Sequence, residues 1–136
     1  MTKLAQLIAR EEGFFRSGTL PARSNNPGDL RHSPHSQHPG EPNAIGVIDS
    51  VADGWADLDR QLFLDSRKLT ITDPETGARV PVHAFTLRDA VYSWAPPSDG
   101  NDSARYLADV VAGFGGVVDA DTPLSQVLMI QGDLYT

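Results

Sequence analysis

Two carboxylates stand side by side at Glu11 and Glu12, and Gly13, Phe14 and Phe15 follow them directly. Burial beside aromatic rings raises the pKa of a carboxyl group, because it penalises the charged form. The partial negative charge at the C-terminal end of a helix acts in the same direction, and so does a second carboxylate next door. An acid held this way can protonate a poor leaving group near neutral pH, which is general acid catalysis. The competing reading is a pair of solvated surface glutamates, the common situation for this residue type.

The other chemistry-bearing residues are more scattered. His32, His35 and His38 recur every third residue, and three imidazoles can hold zinc. Their segment is rich in Ser and Pro, with no helix to orient the rings. It reads as a flexible, partly charged loop, and no metal site is expected. Neither a phosphate-binding glycine loop nor a dinucleotide glycine pattern occurs, so no cofactor is expected. The chain has no cysteine, which removes thiolate ligands, disulfides and a thiol nucleophile. No Ser-His-Asp arrangement can be singled out.

Positioning Glu12 falls to a helix predicted over residues 2–12. Thr2 is its N-cap, Leu4, Leu7 and Ile8 recur at helical spacing, and Gly13 suits the stop. A long loop is expected over residues 17–43, with turn signals at Asn25-Asn26-Pro27-Gly28; loops of this length are usually functional or mobile. Residues 44–48 could form a short strand. Ser50, with Asp53 three residues later, opens a second helix that carries Trp55, Leu58 and Leu62 on one stripe and ends near Lys68. Leu69-Thr70-Ile71 and Val80-Pro81-Val82 flank Asp73-Pro74-Glu75-Thr76-Gly77 as a hairpin with proline on an edge.

Thr86 caps a third helix bearing Leu87, Val91 and Trp94, with Asp89 at N3, and Pro96-Pro97 stops it. After a turn at residues 98–102, a fourth helix runs from Ser103 and carries Tyr106, Leu107, Val110 and Val111. Thr122-Pro123 begins a fifth, expected to continue to Gly132. The expected fold class is mainly α, of the α+β type, with a small hairpin. Trp55 and Trp94 read as core residues.

The length, 136 residues, suits a single domain. A net charge of −7 would repel a phosphate backbone over most of the surface, so nucleic acid is not an expected partner. No apolar run is long enough to span a membrane, and the N-terminus lacks the apolar core of a signal peptide. A monomer is expected.

Four stretches, in order along the chain, resemble phage-type lysozymes, endolysins and related phage virion or lysis proteins. The first is Leu4-Ala5-Gln6-Leu7-Ile8-Ala9-Arg10-Glu11-Glu12-Gly13-Phe14. The second is Asn25-Asn26-Pro27-Gly28-Asp29-Leu30-Arg31, where Asp29 replaces the usual Asn. The third is Gly54-Trp55-Ala56-Asp57-Leu58-Asp59-Arg60-Gln61-Leu62. The fourth runs from Trp94 through Pro96-Pro97 to Tyr106, and is similar also to part of some lytic transglycosylases.

The resemblance implies one lysozyme-like domain over residues 1–136, a cleft with a small β element on one wall, and cleavage of peptidoglycan glycan strands. It places the catalytic acid on Glu12, the residue directly before the glycine. Asp29 and Asp49 are candidates for a second acid. Asn25 and Asn26 could bond sugar amides or the attacking water, or one of them could simply hold its turn. Tyr106 could bind in the cleft or sit in the core. The implied setting is synthesis in a host cytoplasm and action on the cell wall, during phage lysis or from the virion. Two other readings remain: a virion structural or wall-binding module that has lost catalysis, and an acidic inhibitor or adaptor for a basic partner.

Overall fold

A computed structural model describes residues 1–38, 45–73 and 75–133. The fold is mainly helical with a minor β component. The chain divides into two compact units, Met1–Gln61 with Gln131–Thr136, and Leu62–Ile130.

In the first unit, helix α1 covers Lys3–Glu11. The Thr2 hydroxyl accepts the Ala5 amide at 3.1 Å, the N-cap bond expected of this residue. Leu4, Leu7 and Ile8 are buried. At the other end Gly13 adopts φ +82°. The Phe14 amide donates to the Ala9 carbonyl and the Gly13 amide to the Arg10 carbonyl. These two bonds define a Schellman cap, with Glu12 at the C-cap and glycine in the left-handed position that a side chain disfavours.

The long loop expected over residues 17–43 is more ordered than the sequence suggested. Thr19 caps a one-turn helix α2, Leu20–Arg23, with Pro21 in its first turn. Strand β1, Ser36–Gln37, pairs antiparallel with β2, Val47–Ile48, in the register Ser36↔Ile48 and Gln37↔Val47. Of the strand expected over residues 44–48, only these last two residues are strand, and Ala44 lies outside the described residues, as do positions 39–43 of the loop. The Ser50 hydroxyl accepts the Asp53 amide at 3.1 Å and opens α3, Val51–Asp65. Residues of α3 through Gln61 belong to this unit and bury Trp55 and Leu58.

In the second unit, β3, Thr70–Thr72, pairs antiparallel with β4, Arg79–Pro81, so the expected hairpin is present and shifted by one residue. Helix α4, Leu87–Trp94, starts in a complete capping box between Thr86 and Asp89. A 3-10 turn, Pro97–Asp99, follows. Helix α5, Ser103–Gly113, is capped by Asp102. The last helix, α6, is only Leu124–Val127, not the expected run to Gly132. Its end tightens into i→i−3 bonds, Met129 to Gln126 and Ile130 to Val127, which close a helix rather than extend it. Leu87, Val91, Val110, Leu124 and Val127 are fully or almost fully buried. Trp94 is only half-buried, in contrast to Trp55. No helix among the described residues is long and apolar enough to cross a membrane.

Candidate functional site

Glu12 is half-buried at the Schellman end of α1. Its backbone amide donates to the Ile8 carbonyl at 2.9 Å, so the last helical bond fixes where its side chain starts. The chain then turns directly into an aromatic cluster. Phe14 meets Trp55 edge-on at 5.4 Å between centroids, and Phe15 lies 6.1 Å from the same indole. Edge-on contacts of this kind stabilise and rigidify. The helix end bearing Glu12 is thereby tied to α3. Glu11 is mostly shielded, and its carboxylate lies 3.6 Å from the Arg10 guanidinium.

The turn at residues 25–31 packs against the start of α3. A Cβ added at Gly54 would lie 2.1 Å from the Asn25 carbonyl oxygen and 2.9 Å from Pro27. Only glycine permits so close a backbone approach. Asn25 takes a left-handed conformation, φ +51°, and its amide donates to the Ile48 carbonyl at 2.9 Å.

Asn26 is completely buried. Its Nδ2 donates to the carbonyls of Leu30 at 2.7 Å and Gly46 at 2.8 Å, and its Oδ1 accepts the Leu30 amide at 3.0 Å. Both amide protons are thus engaged by backbone. Of the two roles open to it in sequence, binding a sugar or holding the turn, the geometry gives Asn26 the second.

Asp29 follows, again left-handed at φ +54°. Asn and Asp are the non-glycine residues that best tolerate this region, so Asp29 suits this turn. Burial pushes the Asp29 carboxyl above its ordinary pKa, with the Arg31 charge opposing. Its partly desolvated carboxyl therefore holds its proton to higher pH than an exposed one. Asp49 is exposed, and Gln37 Nε2 donates to its Oδ2 at 3.5 Å. Tyr106 is half-buried on α5, in the second unit, whereas the other nominated residues lie in the first.

Two residues of consequence escaped the sequence reading. His35 is no part of a floppy histidine run. Its Nδ1 lies 2.6 Å from Asp57 Oδ1, and its backbone amide donates to Asp57 Oδ2 at 3.0 Å. Asp57 itself is buried on α3 and also accepts the Ser33 hydroxyl at 2.6 Å. The available signal was positional: Asp57 lies one helical turn after Gly54 and beside Leu58, on the buried side of α3. His32 and His38 stack on each other at 4.6 Å. No group of three or more His, Cys, Asp or Glu among the described residues is arranged to hold a metal.

The second unit contains a groove of about 710 Å³ between the hairpin and α4, lined by residues that include Phe85, Tyr92, Arg79 and Arg88. None of the nominated residues lines it. Its charges are largely engaged within the unit: Arg88 with Asp121, Lys68 with Asp65, and Arg79 with the hydroxyls of Thr70 and Thr72. Asp89 is used in the capping box. The chemistry-bearing residues therefore gather in the first unit, around the end of α1, the turn at 25–31 and the start of α3. No protein-family model matches the chain, and no curated protein or solved structure matches it.

Proposed function

We propose that this protein cleaves the glycan strands of bacterial peptidoglycan, with Glu12 as the general acid. The observation that carries the reading is the convergence of three sequence elements of the lysozyme and endolysin pattern within one compact unit. The Glu12-Gly13-Phe14 helix end, the Asn25-Asn26-Pro27-Gly28 turn and the Gly54-Trp55 helix are joined through Phe14 on Trp55 and Gly54 on Asn25. These contacts concern the very residues that define the pattern, which is why the resemblance and the packing support each other.

In the proposed reaction Glu12 gives its proton to the glycosidic oxygen as the bond to the anomeric carbon breaks. Water then adds to that carbon and gives a proton back to the Glu12 carboxylate, leaving a reducing end, or the neighbouring acetamido oxygen closes on the carbon and is displaced by the sugar's own 6-hydroxyl, which returns its proton to Glu12 and leaves an anhydro end. Asp29, with its burial-raised pKa, is the second carboxyl group best suited to join in proton handling. Asp49 offers an exposed carboxylate instead. No cofactor or metal is invoked. The protein would work as one lysozyme-like domain and as a monomer, reaching the wall at phage lysis or from a virion.

Digestion of purified peptidoglycan with the parent protein and Glu12→Gln, followed by mass spectrometry of the soluble products, tests this. The parent should release muropeptides with either reducing or anhydro ends, which differ by one water. Glu12→Gln should slow release by roughly a hundredfold or more, the usual worth of a general acid, with an unchanged thermal midpoint. A Glu12→Gln protein that digests the wall at the parent rate removes Glu12 from the mechanism. A parent protein that binds the wall and releases nothing favours the non-catalytic, wall-binding module.

A further inference from the structure

Asp57 is a carboxylate with a side chain only 1 % exposed. A charge so shielded from water requires compensating partners. Among the described residues it has three donors, all from one short stretch: the Ser33 hydroxyl, the His35 backbone amide and the His35 ring. The donors lie 22 and 24 residues away in sequence. Among the described residues its sole cationic partner is His35, the side chain type whose charge changes near neutrality.

Asp53 lies one helical turn before Asp57, and its Oδ1 is 3.8 Å from His35 Nε2. Two carboxylates four residues apart on a helix repel each other. A protonated imidazole beside both relieves that repulsion, with Nδ1–H donated to Asp57 and Nε2–H turned toward Asp53. When Nε2 loses its proton, a lone pair faces Asp53 in its place.

We propose that Asp57 and His35 form a proton-operated latch that positions the segment following the 25–31 turn on α3. Asp57 acts here as a positioning residue, through Ser33 and His35. The inference goes beyond glycan cleavage and does not depend on it. If cleavage is correct, the latch also governs the chain that leaves the turn bearing Asp29.

The electrostatics of the ring agree with the geometry. The hydrogen bond to Asp57 holds His35 above the usual imidazole pKa; desolvation opposes it, and the charges of Asp57 and then Asp53 reinforce it. Burial pushes Asp57 up, but the bonds from Ser33 and His35 together with the His35 charge outweigh it and keep Asp57 below the ordinary aspartate value. Among the described residues, the two acids that face the ring, Asp53 and Asp57, both come from α3. On the segment's own side the titratable residues are His32 and His38, stacked on each other, and Arg31 is the nearby fixed charge. Strand β2, Val47–Ile48, pairs with the segment and carries no titratable side chain.

The sign follows. The contribution of protonated His35 is complete below the ordinary imidazole range and fades as pH rises through the raised value. The contribution of ionised Asp57 is present above the ordinary aspartate range and fades as pH falls through the lowered value. The latch is therefore tightest in mildly acidic solution and loosens on the alkaline side. There the neutral ring still donates Nδ1–H, so the tie weakens and is not lost.

An NMR titration of the full chain, following the His35 ring and amide exchange at His35, tests the latch without any activity readout. Its failure is thus distinct from failure of the glycan-cleaving reading. The His35 ring should titrate above the usual imidazole value. Protection of the His35 amide, corrected for intrinsic exchange, should fall measurably as pH rises through that titration. His35→Gln keeps a donor but cannot titrate, so its corrected protection should be lower in mild acid and flat with pH. Asp57→Asn keeps an acceptor without charge, so His35 should titrate lower than in the parent. If Asp57→Asn does not fold, the half-exposed His35→Gln site carries the comparison alone. A parent His35 that titrates at the ordinary value, or protection that stays constant through its titration, overturns the latch.

Discussion

The turn and strand at residues 25–37 and the hairpin at residues 70–81 are both short non-helical pieces, but they are held in opposite ways. The hairpin is closed by near neighbours. Asp73 Oδ1 accepts the Glu75 amide at 2.8 Å, the Gly77 amide donates to the Asp73 carbonyl at 2.8 Å, and Arg79 bonds Thr70 and Thr72 across the ladder. The first piece is tied to distant partners: Asn25 donates to the Ile48 carbonyl, Asn26 to the Gly46 carbonyl, and Ser33 and His35 to the Asp57 carboxylate. Each of these bonds spans 20 residues or more. These bonds are partly or fully buried, whereas the side-chain bonds of the hairpin are exposed, so each should matter more than any of those in the hairpin.

That contrast can be broken or sharpened by measurement. The largest effect is expected for Asn26→Ala. It removes one buried and two part-buried hydrogen bonds and orphans the Leu30 amide and the Leu30 and Gly46 carbonyls. A loss of about 4 kcal/mol is expected from the unsatisfied groups, read as a lower urea midpoint at constant slope. A loss below 1 kcal/mol would show that the turn is held by something else. Gly54→Ala comes next. Its methyl group collides with the Asn25 backbone, and a cost of roughly 3 kcal/mol is expected from overpacking.

The hairpin counterpart is Gly77→Ala. Gly77 also has positive φ, +72°, but open space where a Cβ would go. Only the backbone preference is lost, at about 1 kcal/mol. Equal costs for Gly54→Ala and Gly77→Ala would erase the distinction between the two regions.

The smallest effect, and the one of opposite sign, is Asp29→Asn. Because the folded state raises the Asp29 pKa, ionisation of this group opposes folding. The penalty is absent below the ordinary aspartate range, where both states are protonated, and grows as pH rises through the raised value. Asparagine keeps the left-handed turn without the charge. The variant should match the parent in acid and exceed it slightly near neutrality. Thermal melts at both pH values check this.

The same distinction between local and distant partners governs what could be read from the sequence. The Thr2 and Thr86 caps, the glycine stop after Glu12 and the hairpin depend on residues within a few positions of one another, and all were legible. The C-terminal helix was misjudged because Thr122-Pro123 looks like a helix start while nothing nearby announces the i→i−3 closure at Met129 and Ile130. The histidine stretch was misread as floppy because its anchor, Asp57, lies on a helix more than twenty residues later. Asn26 was ambiguous for the same reason: its second carbonyl partner belongs to Gly46. Around the candidate acid, the helix end was apparent from Glu12-Gly13-Phe14, whereas the contact of Gly54 with Asn25 required three dimensions.

That contact also bears on how such a chain can drift over generations. With a carbonyl oxygen occupying the space where a side chain would begin at position 54, a lone mutation there meets a barrier that a change at position 25 alone does not lower. The two stretches can diverge only together, by rebuilding the bend and re-seating the helix in the same lineage. A descendant carrying alanine or serine at 54 should therefore be found with a different bend opposite it, by insertion, deletion or a new backbone path, and not with this one left intact.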